Sequence, residues 1–309
     1  MRLLADWVLQ CEIFEADVLA DGIDDRVIGN LAGKAAIDIA MRDLRGRLLG
    51  RPVAQLPGGV KQPSFSAFKA ISLATPAEMA SEVSEAAALG YRGWQVKLGD
   101  NPVEDASRLR AVAEVTPADS VFRSSDANKG WTVGQALRFM KATRDIDTYL
   151  EQPCRNLAEL ARIREVSSIP TMIDESLRDV ADMLDALTMG CADAINLKPV
   201  RVGGLTKAVR IRDLAQAAGL MVLVDEPQGA DLATAGLAHL AATVEPRHFL
   251  GVSYFMGDEM KISYQPAGAD TGPRLIDGRV YYSDQAGLGL TIDEATFGIP
   301  LFTVKARRA

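Results

Sequence analysis

Histidine is scarce in this chain. Its 309 residues include two histidines, His239 and His248, and so small a number excludes several histidine-based mechanisms. Cysteine is almost as rare, and the three cysteines at positions 11, 154 and 191 show neither a paired spacing nor that of a metal site. We therefore expect a reducing, cytoplasmic location.

Long hydrophobic runs and an excess of positive charge are also absent. No segment approaches the roughly 18 apolar residues of a membrane span, and the N-terminus has no apolar signal-peptide core. The formal net charge of -7 argues against nucleic acid or an anionic membrane as the main partner. Hydrophobic residues at 48% and charged residues at 24% are typical of a soluble globular enzyme.

Strand-like segments alternate with helical segments from about residue 65 onward. The predicted strands are residues 65–71, 93–98, 120–125, 148–150, 171–173, 194–197, 221–224 and 249–253. Eight such units without a hairpin signal favour a closed parallel barrel, either (β/α)7β or (β/α)8, over a doubly wound sheet. An open sheet remains the alternative, because periodicity does not report closure.

The flanks of the repeat have a different pattern. Residues 2–20 and 31–48 each predict a helix, and the Pro-Gly-Gly run at 57–59 marks a boundary. After residue 260 the chain is rich in turn residues, with a short strand predicted at 279–282. We expect three parts: residues 1–60 as the helical remnant of a partial α+β capping domain, 61–255 as the barrel, and 256–309 as a segment packing beside the cap.

Three acidic residues each follow a predicted strand: Asp126, Glu151 and Asp174. Their spacings of 25 and 23 residues equal about one strand plus one helix, so neighbouring parallel strands bring them to one rim. Three carboxylates about 4 Å apart repel by roughly 4 kcal/mol per pair at an effective dielectric of 20. A hard divalent cation is the simplest way to offset that repulsion. The competing interpretation is that each acid caps a helix.

Two lysines follow other strands of the same predicted ring. Lys97 ends the second strand and Lys198 follows the sixth, so the two amines lie opposite each other around the acids. The remaining polar candidates at strand ends are Gln95, Asn128, Glu175, Asn196, Asp225 and Glu226. A solvated surface charge is the competing interpretation, above all for Lys97.

This arrangement suits removal of the proton beside a substrate carboxylate. A metal ion stabilises the charge that develops on the carboxylate oxygens. A lysine near a cation has its ammonium form disfavoured, so its pKa is expected to fall toward about 7–8, where it acts as a general base. The second lysine then returns a proton or protonates a leaving group.

The motifs in their order resemble the enolase superfamily, in its muconate lactonising (cycloisomerase) subgroup. They are Lys97, Asp-x-Asn at 126–128, Glu-Gln-Pro at 151–153, Asp-Glu-Ser at 174–176, Asn-x-Lys at 196–198 and Gly-Gly at 203–204. The resemblance spans about residues 30–300. It implies Asp126, Glu151 and Asp174 as ligands of Mg²⁺, with Mn²⁺ as an alternative, and the two lysines as the acid/base pair. It also implies a small carboxylate substrate and a homo-oligomer.

Within the subgroup, residues 95–97, 151–154, 201–207 and 231–235 are most similar to one branch. That branch contains hydroxyproline-betaine 2-epimerases and cis-3-hydroxyproline dehydratases. Where it carries a tryptophan after the seventh strand, this chain has Gln228. Gln228 cannot bind a cation through an aromatic face, whereas Glu226 can bind an ammonium by charge. The N-terminal sheet of the family's cap has no counterpart here.

We expect from this resemblance an enzyme that abstracts the α-proton with Mg²⁺ and so racemises or epimerises an amino- or imino-acid-like substrate. The alternatives are a dehydratase of a hydroxy imino acid, a cycloisomerase, and a truncated scaffold that binds metal without turnover. The histidine–aspartate pair of the mandelate racemase subgroup is disfavoured, because the seventh strand ends in Asp225 and Glu226 and His239 lies within the next helix.

Overall fold

The computed structural model describes residues 2–226, 229–256 and 262–304. The strands in these residues are β1 (Ser64–Ser66), β2 (Phe68–Ile71), β3 (Gly93–Lys97), β4 (Phe122–Asp126), β5 (Tyr149–Glu151), β6 (Thr171–Ile173), β7 (Ala194–Leu197), β8 (Met221–Val224), β9 (Phe249–Val252), β10 (Arg274–Ile276) and β11 (Arg279–Tyr281). The α-helices are α1 (Arg2–Val8), α2 (Ala16–Arg26), α3 (Leu31–Leu49), α4 (Pro76–Ala88), α5 (Pro102–Val115), α6 (Val133–Thr143), α7 (Leu157–Arg164), α8 (Val180–Met189), α9 (Pro199–Val202), α10 (Leu205–Ala217) and α11 (Ala230–Ala241).

Strands β2 to β9 form one parallel sheet in chain order, and it curls into a nearly closed barrel. A parallel bridge joins Ala67, directly before the first strand of this sheet, to Val252 of its last strand. Within the described part of the chain, no α-helix follows β9, which gives the (β/α)7β form. The predicted parallel barrel is confirmed, and each of the eight predicted segments overlaps a barrel strand.

Local sequence signals explain where the barrel helices begin. Thr75 forms a reciprocal capping box with Glu78 at the start of α4, and Asn101 caps α5 ahead of Pro102. Gly90, which follows α4, has φ +92°, and a Cβ there would lie 2.5 Å from the backbone of Asp277. Glycine therefore ends the helix and allows the C-terminal segment to pack closely against it.

The predicted strand at residues 65–71 is wrong in one respect, because it is two strands in two sheets. Strand β1 pairs antiparallel with β11, which also pairs with β10, whereas β2 begins the barrel. Between them, the Ala67 N–H donates to the carbonyl of Gly278. Phe65 of β1 packs against Phe249 of the last barrel strand, with 5.6 Å between the centroids of the tilted rings. The small sheet therefore packs at the end of the barrel where its strands begin.

The predicted helix at residues 2–20 is also wrong in its bounds. Two helices, α1 and α2, occupy residues 2–26 and are separated by a turn. The turn brings Leu4 together with Leu19 and Ile23, which pack on Ile37 of α3. A single straight helix would separate these apolar side chains, so burial of apolar surface favours the break. Helix α3 agrees closely with the prediction.

The N-terminal helices and the C-terminal segment both contact the barrel. Asp38 of α3 accepts a hydrogen bond from the Thr206 N–H at 3.0 Å, at the otherwise uncapped start of α10. Asp43, one turn further along α3, accepts from the Leu288 N–H at 2.7 Å. These carboxylates thus link α3 to a barrel helix and to the C-terminal segment. No helix in the described residues is long and apolar enough to cross a membrane.

His239 of α11 is buried, and its environment predicts a pH-dependent stability. Its Nδ1 accepts the Ala54 N–H at 3.2 Å, and burial lowers its pKa to about 4. The unfolded state, with a pKa near 6.5, binds the extra proton at acid pH and the folded state does not. Acidification from pH 7 to pH 4 should therefore remove up to about 3 kcal/mol of unfolding free energy.

Urea unfolding of the wild type and of His239→Asn at both pH values isolates this contribution. Asparagine keeps an acceptor near Nδ1 but does not titrate. We expect the difference in unfolding free energy between the two proteins to narrow at pH 4. A difference that is the same at both pH values would contradict the role of His239.

Candidate functional site

The three predicted acids lie together where neighbouring barrel strands end. Asp126 ends β4, Glu151 ends β5 and Asp174 directly follows β6. The parallel ladder places Asp126 beside Glu151 in register. All three side chains are fully buried, and one carboxylate oxygen from each lies within 4.8 Å of the other two. The strand register therefore produces the carboxylate cluster that the spacing predicted.

Glu151 is the central member of the cluster and receives neutral donors. Gln95 Nε2 donates to it at 3.0 Å, Ser124 Oγ at 2.7 Å and Asn196 Nδ2 at 2.6 Å. Burial, followed by the charges of Asp126 and Asp174, raises the pKa of Glu151 to about 8. Gln95 and Asn196 thus lie in the positions expected of supporting residues.

The pKa of Asp126 is also raised, but less than that of Glu151. Burial raises its pKa to about 6, against the opposing charge of Lys97 and with a contribution from Asp174. Asp126 Oδ1 accepts the Asn128 N–H at 2.9 Å, and this hydrogen bond fixes the plane of the carboxylate.

The donor chemistry of this cluster fits a hard divalent cation. Oxygen is the sole ligand type it offers, and Mg²⁺ is commonly held through carboxylates. Among the described residues, no lysine or arginine forms an ion pair with Glu151. A cation bound by the three acids would offset the repulsion that raises the pKa of Glu151.

Both lysines flank the cluster. Lys97 Nζ lies 2.6 Å from Asp126, and Lys198 Nζ lies 3.0 Å from Asp174 and 3.1 Å from Asp225. Lys97 is partly exposed, with 29% of its side chain accessible, whereas Lys198 is buried at 6%. Because they belong to the second and sixth barrel strands, they approach from opposite sides of the ring.

Without a bound cation, the surrounding carboxylates raise the pKa of both lysines. Burial lowers the pKa of Lys97, but the charges of Asp126 and Glu151 outweigh it and the net shift is upward. Burial likewise lowers the pKa of Lys198, and Asp225 and Asp174 reverse that effect. The fall expected from the sequence concerns the protein with a cation bound among the three acids, since that cation would offset these carboxylate charges.

Asp225 is held as a counterion of Lys198. Its Oδ2 contacts Lys198 and also accepts from Asn196 Nδ2 at 3.3 Å, while Oδ1 accepts the Glu226 N–H at 2.8 Å. Burial, the largest single effect, raises the pKa of Asp225, but the charge of Lys198 and the side-chain hydrogen bonds to the carboxylate together outweigh it, and the net shift is downward. Asn196 therefore connects Glu151 of the acid cluster to Asp225, the counterion of Lys198.

The other predicted residues lie at the rim and wall of the site. Asn128 Nδ2 donates to Glu175 Oε1 at 3.2 Å, next to Asp174. Glu226 is buried, and its Oε1 accepts the Val200 N–H at 2.7 Å. Gln228 lies outside the described residues.

Three residues of the site were not among the predicted site residues. Ser124 donates to Glu151, and Arg201 donates to Asp174. Ser124 is two positions before Asp126, so strand periodicity places both on one face and is a signal that identifies it. Gln152, within the recognised Glu-Gln-Pro motif, accepts the N–H groups of Asp174 and Ser176 at 3.0 and 3.1 Å.

Gln152 should be essential for the position of Asp174. Its Nε2 also donates to the Cys154 carbonyl and to Ser176 Oγ, so all its polar atoms are used inside the protein. Gln152→Ala leaves buried N–H groups without an acceptor, which costs about 1–3 kcal/mol for each group. We expect a loss of about 3 kcal/mol in unfolding free energy, measured by chemical denaturation.

The matched control is Gln135→Ala. Gln135 also accepts a backbone N–H, that of Thr132, but in an exposed capping box. This change should cost about 1 kcal/mol. Equal losses in the two variants would show that Gln152 does not organise the acid cluster.

A cavity of about 350 Å³ opens above the acids and lysines. Its walls carry both lysines together with Asp174, Asp225 and Glu226. Aromatic side chains from the beginning and end of the barrel, Phe68, Tyr91, Tyr254 and Phe255, complete it. The volume suits a small polar molecule.

The protein is a parallel (β/α)7β barrel with an acid cluster and two lysines at the carboxyl ends of its strands. These features are those of an α/β-barrel protein of the enolase type. A family model described as "Enolase C-terminal domain-like" matches residues 78–296, and the chain belongs to this family. The predicted resemblance is confirmed.

Individual relatives show how far the similarity extends. Cis-3-hydroxy-L-proline dehydratase from Roseibium aggregatum is 34% identical over 270 residues, covering 87% of this chain and 72% of the relative. N-succinyl-L-Arg/Lys racemase from Bacillus cereus is 32% identical over 225 residues, covering 72% of this chain and 61% of the relative. The chain therefore spans less than two thirds of the racemase.

A solved structure is also similar. It is described as a mandelate racemase/muconate lactonizing enzyme from Roseovarius nubinhibens ISM complexed with magnesium. The TM-score is 0.90 at 26% identity, and the match covers 97% of this chain and 83% of that chain. Its magnesium agrees with the oxygen donors of the acid cluster.

Proposed function

We propose that this protein removes the proton α to the carboxylate of an amino- or imino-acid-like substrate and so racemises or epimerises it. The observation that carries the proposal is the placement of two amines, Lys97 and Lys198, on opposite sides of a buried carboxylate cluster. Each amine is hydrogen-bonded to an outer acid of that cluster. Amines on both sides of a bound substrate give access to both faces of its α-carbon.

Asp126, Glu151 and Asp174 would hold Mg²⁺, and Mn²⁺ is the expected substitute because it accepts the same oxygen ligands. When bound, the ion supplies positive charge that stabilises the negative charge developing on the substrate carboxylate. Gln95, Ser124 and Asn196 hold the Glu151 carboxylate in place through their hydrogen bonds.

The lysines move the protons. One lysine, as the neutral amine, takes the α-proton from one face, and the ammonium of the other lysine returns a proton to the opposite face. Hydrogen bonds to Asp126 and Asp174 fix the two side chains and reduce the entropy lost when substrate binds. Asp225 holds Lys198 from the other side and therefore orients its Nζ.

Dehydration is the second candidate function. Similarity to a cis-3-hydroxy-L-proline dehydratase over 87% of this chain favours it. In that reaction one lysine takes the α-proton and the ammonium of the other protonates the departing β-hydroxyl. The same residues serve both reactions, so the substrate decides between them.

Proton NMR in D₂O tests the proposal. A panel of L- and D-amino acids, N-succinyl amino acids and cis-3-hydroxy-L-proline is incubated with the protein and Mg²⁺. Loss of the α-proton signal together with loss of optical rotation supports racemisation, whereas an imine or keto product supports dehydration. No deuterium at the α-carbon of any compound contradicts both functions and supports a metal-binding scaffold.

We propose that residues 1–60 and 256–309 together form a partial cap beside the barrel at 61–255, consistent with the contacts of Asp43 and Arg47 with Leu288 and Leu290. We also propose a homo-oligomer and a cytoplasmic location, and size-exclusion chromatography with light scattering tests the former.

A further inference from the structure

Glu226 is a buried carboxyl group in the wall of the reaction cavity, and its hydrogen bonding is incomplete. Only 3% of the residue is exposed. Its Oε1 accepts the Val200 N–H at 2.7 Å, and its Oε2 has no hydrogen-bond partner among the described residues. A buried polar atom without a partner is uncommon, because leaving it unpaired costs free energy.

The other acids of the cavity are already satisfied. Asp126 bonds to Lys97, Asp174 to Lys198 and Arg201, and Asp225 to Lys198. Glu151 has three neutral donors and belongs to the proposed metal site. Glu226 is thus the one carboxylate lining the described cavity that has neither a cationic partner nor a place in the acid cluster.

The neighbouring charges do not supply the missing partner. Burial, together with the charge of Asp225, raises the pKa of Glu226 to about 8, against the Val200 N–H and the charges of Lys198 and Arg201. Those two cations form their ion pairs with Asp174 and Asp225. A cation that enters the cavity would therefore be the missing counterion.

We propose that Glu226 binds the protonated amine of the substrate, so that the substrate is a free primary or secondary amino acid. This inference rests on the proposed function, because it assigns a recognition residue to the same cavity. The substrate carboxylate then faces the acid cluster and its ammonium faces Glu226, which leaves the α-carbon between the lysines. An N-acyl substrate has no such cation and would leave Glu226 unpaired.

Isothermal titration calorimetry of the Mg²⁺-loaded protein tests the inference with matched ligands. The pairs are L-proline with cyclopentanecarboxylate and L-alanine with propionate, which differ in the amine. We expect the amine-bearing member of at least one pair to bind about ten- to a hundredfold more tightly, the range for a hydrogen bond to a charged group. At pH 7 its binding should also release a proton, seen as an enthalpy that changes between HEPES and Tris buffers.

Glu226→Gln supplies the decisive variant. Glutamine has the same shape and still accepts the Val200 N–H, so the fold should persist, which thermal unfolding checks. The preference for the amine and the proton release should both disappear. The matched control is Glu245→Gln, an exposed glutamate paired with Lys61, which should behave as the wild type.

Three outcomes overturn the inference: no preference for the amine in either pair, binding of none of the four ligands, or an unchanged preference in Glu226→Gln. A variant that binds amines normally but no longer dehydrates substrate would instead identify Glu226 as an acid for the leaving hydroxyl. The proposed function fails separately. If α-deuterium exchange occurs on N-acyl acids without amine selectivity, the function stands and the inference is wrong. If amines bind selectively but no α-deuterium exchange occurs on any compound, the inference stands and the proposed function is wrong.

Discussion

Replacing Lys198 with methionine should slow α-proton exchange by about 10²- to 10⁴-fold, the range typical of a lost general acid–base group. Methionine fills a similar volume but has no proton to move. Because each lysine serves one face of the α-carbon, this loss concerns one enantiomer of the substrate, and Lys97→Met should slow exchange of the other enantiomer by the same factor. Initial rates of α-deuterium incorporation, measured by NMR at saturating Mg²⁺, give both values.

The control for these variants is Lys61→Met. Lys61 is also paired with an acid, Glu245 at 3.0 Å, but the two side chains are 46% and 41% exposed and lie outside the cavity. Its exchange rate should equal that of the wild type. Exchange of both enantiomers at the wild-type rate in either Lys97→Met or Lys198→Met would remove that lysine from the mechanism.

Replacing Glu151 with glutamine should weaken Mg²⁺ binding by at least about a hundredfold, because the ligand charge of a site sets its affinity. The amide oxygen still accepts from Asn196, and the Ser124 hydroxyl can rotate to accept from the new amide group. We therefore expect the unfolding free energy of the metal-free protein to change by less than about 1 kcal/mol.

The measurable signature is the stabilisation that Mg²⁺ provides. At a Mg²⁺ concentration of a hundred times the wild-type Kd, the wild type gains about 2.7 kcal/mol, and a variant that binds a hundredfold more weakly gains about 0.4 kcal/mol. Chemical denaturation with and without Mg²⁺ measures both. Asp225→Asn is the matched control, since Asp225 is a buried acid outside the cluster and its loss should leave the metal-linked gain intact. An equal gain in Glu151→Gln would place the metal elsewhere.

The acid cluster was accessible from sequence because it follows from strand order. Asp126, Glu151 and Asp174 end successive strands, and parallel strands in chain order place their carboxyl ends at one rim. The same logic placed Lys97 and Lys198 opposite each other. These predictions needed the period of the repeat and no knowledge of side-chain packing.

Other features depend on contacts between distant segments, which periodicity does not report. The break between α1 and α2 exists because Leu4 and Leu19 pack on the same face of α3. The separation of β1 from β2 depends on pairing with residues 279–281, more than 200 positions away. Arg201 donates to Asp174 from the four-residue helix α9. From sequence, an arginine in so short a helix cannot be distinguished from an ordinary surface arginine.

The lysine pKa values show a different limit. Carboxylates surround each amine and raise its pKa, and the fall expected from the sequence requires a cation bound among the same carboxylates. The direction of such a shift depends on which charge is nearest, and a difference of a few ångströms decides it.

The most direct test of the central claim is the rate of α-deuterium exchange as divalent metal is removed and restored. The substrate is whichever compound of the panel exchanges fastest. After treatment with a chelator and desalting, the exchange rate should fall to background, and it should return in full when Mg²⁺ is added back. Circular dichroism before and after chelation confirms that the fold is retained. Exchange that continues at its original rate without divalent metal would contradict a metal-assisted proton abstraction at Asp126, Glu151 and Asp174.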